Sequence, residues 1–205
     1  MGLSPTMDGM QDEPTPAVAE GPAKGRRWIP WVAAGGAFLL TLVVGGAVAA
    51  DWAWRNAQMT ELLDRVQASE DAMAVLQDAA SEAIEEHRSG EDPTKLESQL
   101  RGLAAQAETD IADAGAEVAA LPIAIWHADI DRARDAYLLH NRAWVEYMAR
   151  SSENAQEFFV PQPLVNETFI DALPLFEEAV PMPDPTGLMD RVREIFSMPA
   201  PQDQV

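Results

Sequence analysis

From Asp51 to Arg88 apolar residues return in alternating steps of three and four: Trp52, Met59, Leu62, Val66, Met73, Leu76, Ala80 and Ala83. That is the period of one helix face, with charged residues on the other faces. Arg55 and Ser69 fall on the same seam, and the seam leans on alanine. It therefore predicts one helix of a bundle rather than a coiled coil that dimerises by itself. Ser89-Gly90-Glu91-Asp92-Pro93 then supplies a terminating Gly, an N-cap Asp and a Pro at the first helical position. A second helix follows, with Leu96, Leu100, Leu103, Ala107, Ile111, Ala114, Val118 and Leu121 on one face. So short a loop predicts an antiparallel helical hairpin. Gly102 and Gly115 each weaken the second helix by about 1 kcal/mol relative to alanine unless close packing requires them.

Pro122 opens a third segment in which Ile123, Trp126, Ile130, Ala133, Tyr137, His140, Trp144 and Met148 keep the helical period. No Gly or Asn accompanies Pro122, so a kink in one long helix and a full reversal both remain open. Beyond Arg150 the texture changes, since 8 of the 15 prolines fall between Pro161 and Pro201. Short helices are expected near Asn166 to Leu173 and from Asp184-Pro185 to Phe196, the latter with an Asp cap and Pro at its first position. Phe158, Phe159, Val160, Phe169, Leu175, Phe176 and Phe196 are too apolar for a solvated tail, so this region is expected to wrap onto the bundle or onto a partner. Pro199 to Val205 is expected to be loose. No run alternates as a strand and no repeat of solenoid period occurs, which makes the chain all-α.

The pattern upstream is of another kind. From Trp28 to Ala50, 23 consecutive residues carry no charge, and Thr41 is the only clearly polar side chain. As a helix this stretch spans about 35 Å, enough to cross a hydrocarbon core of about 30 Å. Trp28 and Trp31 at one end and Trp52 and Trp54 at the other form an interfacial belt. Lys24, Arg26 and Arg27 precede the run, and Asp51 follows it. The positive-inside tendency therefore predicts a single-pass signal anchor with a cytoplasmic N-terminus and an extracytoplasmic domain. Ala47-Val48-Ala49 has the small-x-small form of a signal-peptidase site, and Arg26-Arg27 hints weakly at twin-arginine export. Against cleavage stand the 27 residues that precede the run and its length beyond the usual apolar core of a signal peptide. Ala33, Ala37, Thr41, Gly45 and Ala49 recur every four residues and form a small-residue stripe on one face, suited to close packing against a second helix in the membrane.

Four segments result: a disordered cytoplasmic tail at 1–27, the transmembrane helix at 28–50, a long-helix bundle at 51–157 and a Pro-rich region of short helices at 158–205. Pro5, Pro14, Pro16 and Pro22 lie in the tail without apolar periodicity. It is too short for a catalytic output domain. Across the 205 residues, 14 Lys and Arg oppose 34 Asp and Glu, a net charge of -20, and 30 of those acids follow residue 50. Such a chain repels phosphate backbones, so no nucleic acid partner is expected. With no cysteine, disulfides, Cys-ligated metals, lipid-anchoring thiols and thiol nucleophiles are all excluded.

Candidate chemistry is sparse. His127, Asp131 and Asp135 recur four apart and offer a nitrogen and two carboxylates to a metal. Arg132 and Arg134 lie among them, which favours a solvated, ion-paired face. No Glu-x-x-His, His-Glu-x-x-His, Gly-x-Ser-x-Gly, phosphate-binding loop or Asp-x-Asp-x-Asp-Gly loop is present. The adjacent pairs Glu85-Glu86 and Glu177-Glu178 do not face each other on a helix. No catalytic, metal or cofactor residue is therefore expected, and no enzyme activity. Trp126, Tyr137, His140 and Trp144 are the aromatic concentration of the exported part and form a candidate partner or ligand surface, although a bundle core uses the same residues. The look of an acidic, cysteine-free helical domain behind one anchor resembles many bacterial envelope proteins of high-GC genomes. The sequence thus predicts a non-enzymatic interaction or accessory component of the cell envelope, with a membrane protein or a second copy as partner. A ligand-binding module with a pocket between its helices is the alternative.

Overall fold

Helix α1 spans Ile29–Arg88 in the computed structural model, which describes residues 29–88 and 93–197, with side chains from 43 onward. Helices α2 (Pro93–Ala119), α3 (Ala128–Glu153), α4 (Pro163–Ala179) and α5 (Leu188–Phe196) follow, with a 3-10 turn at Ala155–Phe159 between α3 and α4. There is no strand among the described residues, and their fold is all-α. The chain divides after Gly46. Of the first unit, Met1–Gly46, only helical backbone from Ile29 and the exposed side chains of Val43 and Val44 bear description. The tail at 1–27 and Trp28 lie outside the described residues, as do the side chains of Trp31, Ala33, Ala37 and Thr41. Among the described residues no helix is long and apolar enough to cross a membrane.

Within the second unit, Ala47–Val205, the seam of α1 is the buried one. Met59, Leu62, Val66, Met73, Leu76, Ala80 and Ala83 are all core residues, joined by Leu63. Met59 to Val66 pack with Val118 and Leu121, Met73 and Leu76 with Ala104 to Ile111, and Ala80 and Ala83 with Leu100. As numbers rise on one helix they fall on the other, which makes α1 and α2 the antiparallel hairpin that the pattern predicts. The turn residues Ser89 to Asp92 lie outside the described residues.

Pro122 marks a reversal. Helix α2 ends at Ala119, residues 120–127 turn, and α3 begins at Ala128. Ile130, Ala133 and Tyr137 then join Met59 to Val66, while Ala143, Trp144 and Met148 join Met73 and Leu76. Helix α3 therefore runs alongside α1 and against α2. The period that seems to begin at Ile123 is a coincidence of spacing, because Trp126 sits in the turn and is exposed.

The Pro-rich region closes the bundle up to residue 197. Helix α4 extends beyond the expected Asn166–Leu173 and passes through Pro174, which is exposed. Proline forfeits one helical hydrogen bond, but Phe176 and Ala179 beyond it are fully buried, and that burial outweighs the loss. Helix α5 places Val192, Ile195 and Phe196 against Met59 to Val66. It begins at Leu188 rather than at Pro185. Asp184 nevertheless caps it, accepting from the backbone N–H of Leu188 at 3.0 Å and of Met189 at 2.8 Å. Those bonds hold its carboxyl below the usual range. Gly187 makes the intervening turn at φ 74°, a left-handed conformation that favours glycine. Asp184→Ala is expected to cost about 1 kcal/mol of stability, with the loss read by chemical denaturation.

Candidate functional site

Two polar clusters lie along α1, one against α3 inside the bundle and one against the 120–127 turn at its end. In the interior, the Tyr137 hydroxyl donates to Glu70 Oε1 at 2.8 Å. His140 Nδ1 lies 3.1 Å from the Val165 carbonyl oxygen and donates to it, while His140 Nε2 accepts from Trp144 Nε1 at 3.1 Å. Both ring nitrogens are thereby satisfied by a neutral imidazole. Burial pushes His140 down to about 4, the Val165 hydrogen bond acting in the opposite sense. It pushes Glu70 up to about 7, against the Tyr137 hydrogen bond and with help from Asp71. The Tyr137 hydroxyl is raised well above its usual value, by burial first and then by Glu70. Glu70 Oε1 and His140 Nε2 are 3.6 Å apart, within ion-pair range. We assign the pair as a neutral carboxyl beside a neutral imidazole between about pH 4 and 7, because Nε2 already accepts from the indole N–H.

One turn along α3 from Tyr137, Asn141 Nδ2 donates to the Ile111 carbonyl oxygen at 2.9 Å and lies 3.5 Å from Ser69 Oγ. Ser69, the polar break in the α1 seam, is thus partnered. Gly115 faces Asn141, and a β-carbon there would stand 2.2 Å from Asn141 Oδ1. Helix α2 needs glycine at that position to pass α3. Gly102 has open space around it, so no packing requires it.

The second cluster lies where α1 leaves the apolar run. Asp51 accepts from Trp126 Nε1 at 3.0 Å and lies 3.1 Å from His127 Nε2. The His127 hydrogen bond is the main cause of its lowered pKa. His127 Nδ1 faces Gln58 Oε1, and Gln58 Nε2 donates to the Pro122 carbonyl oxygen at 3.0 Å. Arg55, the charged break in the seam, pairs with Asp129. Trp52 Nε1 donates to the Pro183 carbonyl oxygen at 3.2 Å, and Thr186 Oγ1 lies 3.1 Å from Asn56 Oδ1.

The residues offered as one partner or ligand surface therefore separate. Tyr137, His140 and Trp144 are buried in the bundle, and Trp126 is exposed at its end. Their own side chains fill the space between the helices at His140. A groove between α1 and α2, lined by Arg65, Ala68, Asp113, Ala114 and Glu117, contains none of them. The charged face of α3 is drawn apart in the same way. His127 turns inward to Asp51 and Gln58, while Arg134 pairs with Asp131 at 2.6 Å and Asp135 at 3.0 Å. Among the described residues no group of three His, Asp or Glu is placed to hold a metal.

No protein-family model matches the chain, and no curated protein or solved structure does. The site has to be read from its own geometry. Glu70, Asn141 and Gln58 are not marked by any motif in the sequence, although Glu70 and Asn141 are each flanked by core positions four residues before and three after: Val66 and Met73, Tyr137 and Trp144. A polar residue framed in that way was the available signal.

Proposed function

We propose that this chain is a single-pass membrane-anchored protein whose acidic helical domain stands on the extracytoplasmic side of a bacterial cell envelope and serves as an interaction or accessory component. The observation that carries the reading is the uncharged run from Trp28 to Ala50, with tryptophan at both ends, three cations just before it and Asp51 directly after it. Further support comes from the sites. The interior cluster is filled and hydrogen-bonded, which suits a rigid support more than a catalytic centre. The partner is a membrane protein or a second copy, received by the face of Ala33, Ala37, Thr41, Gly45 and Ala49.

Purification of the full chain in mild detergent tests this. A retained Met1 or Gly2, together with a stoichiometric membrane partner or a second copy, is the expected result. A mature chain that starts at Ala50 or Asp51, or one that runs as a monomer without partner, contradicts it.

A further inference from the structure

Two loops that lie far from α1 in sequence are fastened to the turns of α1 that follow the apolar run. Loop 120–127 is held by Trp126 Nε1 on Asp51, at 3.0 Å, and by Gln58 Nε2 on the Pro122 carbonyl oxygen, at 3.0 Å. Loop 181–187 is held by Trp52 Nε1 on the Pro183 carbonyl oxygen, at 3.2 Å. Each loop then turns one apolar side chain almost wholly to the outside: Ile125 is 92% exposed and Met182 75%. The half-exposed rings of Trp54 and Trp126 meet edge to face, with centroids 5.3 Å apart. On α1 itself every residue from Ala47 to Ala50 is exposed, so nothing in this unit covers the end of the apolar run.

We propose that Trp54, Ile125, Trp126 and Met182 form a collar that seats in the headgroup layer of the bilayer, so that two loops as well as the helix hold the domain to the lipid surface. The inference rests on the membrane reading of Trp28–Ala50. Three observations select lipid as the occupant. The first is depth: the collar is tied by hydrogen bonds to Asp51, Trp52 and Gln58, the first turns beyond the predicted hydrocarbon boundary. The second is chemistry, because indole rings favour the interface, with the Trp126 N–H already bonded to Asp51, and Ile125 and Met182 gain by leaving water. The third is charge. Asp51, the first carboxylate after the run, accepts from Trp126 and lies against His127, and Arg55 pairs with Asp129, so the charged groups nearest the run enter the interface already hydrogen-bonded.

The absence of cysteine makes the test direct. Ile125→Cys, Met182→Cys and Val75→Cys are introduced singly into the full chain, labelled with an environment-sensitive fluorophore and reconstituted in phosphatidylcholine vesicles; unchanged circular dichroism shows that each variant folds. The labels at 125 and 182 are expected to emit to the blue, to be quenched by headgroup-depth quencher lipids and to resist aqueous iodide several-fold more than the label at 75. Equal iodide quenching at all three positions, in a chain that resists alkaline carbonate extraction, overturns the collar and leaves the anchor standing. Protection from iodide without quenching by lipid means that a second copy covers the collar, which also overturns it. Release of the chain by carbonate overturns the membrane reading and the collar with it.

Discussion

Glu70→Gln is expected to stabilise the protein by about 3 kcal/mol above pH 7 and to leave its stability nearly unchanged below pH 4.5. The sign follows from the direction of the shift. The folded chain holds the Glu70 proton up to about pH 7, whereas the free side chain releases it near 4.5. The stability from burying a neutral carboxyl is fully present below 4.5 and is lost as pH rises through 7. Glutamine keeps the shape and the acceptor for the Tyr137 hydroxyl and has no proton to lose. His140 acts in the opposite direction. Its folded pKa of about 4 lies under the ordinary 6.5, so its contribution is present above 6.5 and is lost as pH falls through 4. Between 4.5 and 6.5 the two slopes cancel in the native protein. In Glu70→Gln the His140 slope stands alone, and stability falls with acid. In His140→Asn the Glu70 slope stands alone, and stability falls with base. Urea unfolding of the three proteins across this range checks each statement. A buried ion pair would give the reverse result, since removal of one partner would cost about 3–5 kcal/mol at neutral pH.

Gly115→Ala is expected to destabilise the fold by about 3 kcal/mol, against a stabilisation of about 1 kcal/mol for Gly102→Ala on the same helix. The intrinsic preference for alanine is the same at both positions, so the difference measures packing. At 102 the methyl group enters open space. At 115 it meets Asn141 Oδ1 at 2.2 Å, and Asn141 yields only by leaving the Ile111 carbonyl inside the core. Asn141→Ala removes the obstacle, so the double variant should lose clearly less than the sum of the two single losses. Thermal unfolding of the four proteins reads the cycle, and additive losses would show that Gly115 and Asn141 do not meet.

These sites mark how far the sequence is legible. The seam of α1 and the face of α2 are readable because core positions on a helix obey a local period, and the structure buries nearly the same residues. Gly115 reads only as a conditional weakness, since the condition is Asn141 on another helix. Pro122 reads as an interruption, and the choice of reversal over kink rests on Ile130, Ala133 and Tyr137 finding the α1 seam, a preference made by tertiary contact. Pro174 misleads for the same reason, because Phe176 and Ala179 are buried beyond it. Trp126 shares the helical spacing of Tyr137, His140 and Trp144 but belongs to a turn, so period alone groups residues that the fold separates. Asp51, Gln58 and His127 converge across more than 60 residues of chain, and nothing local in the sequence signals it.

The central claim is that lipid holds the stretch from Trp28 to Ala50 and separates the first 27 residues from the helical domain. Thr6→Cys and Val75→Cys, each the sole thiol in its chain, report on the two sides in spheroplasts treated with a membrane-impermeant maleimide. The account predicts that position 75 reacts in intact spheroplasts and position 6 only after lysis. Protection of position 75 until lysis, or equal reaction of both before it, would contradict the account.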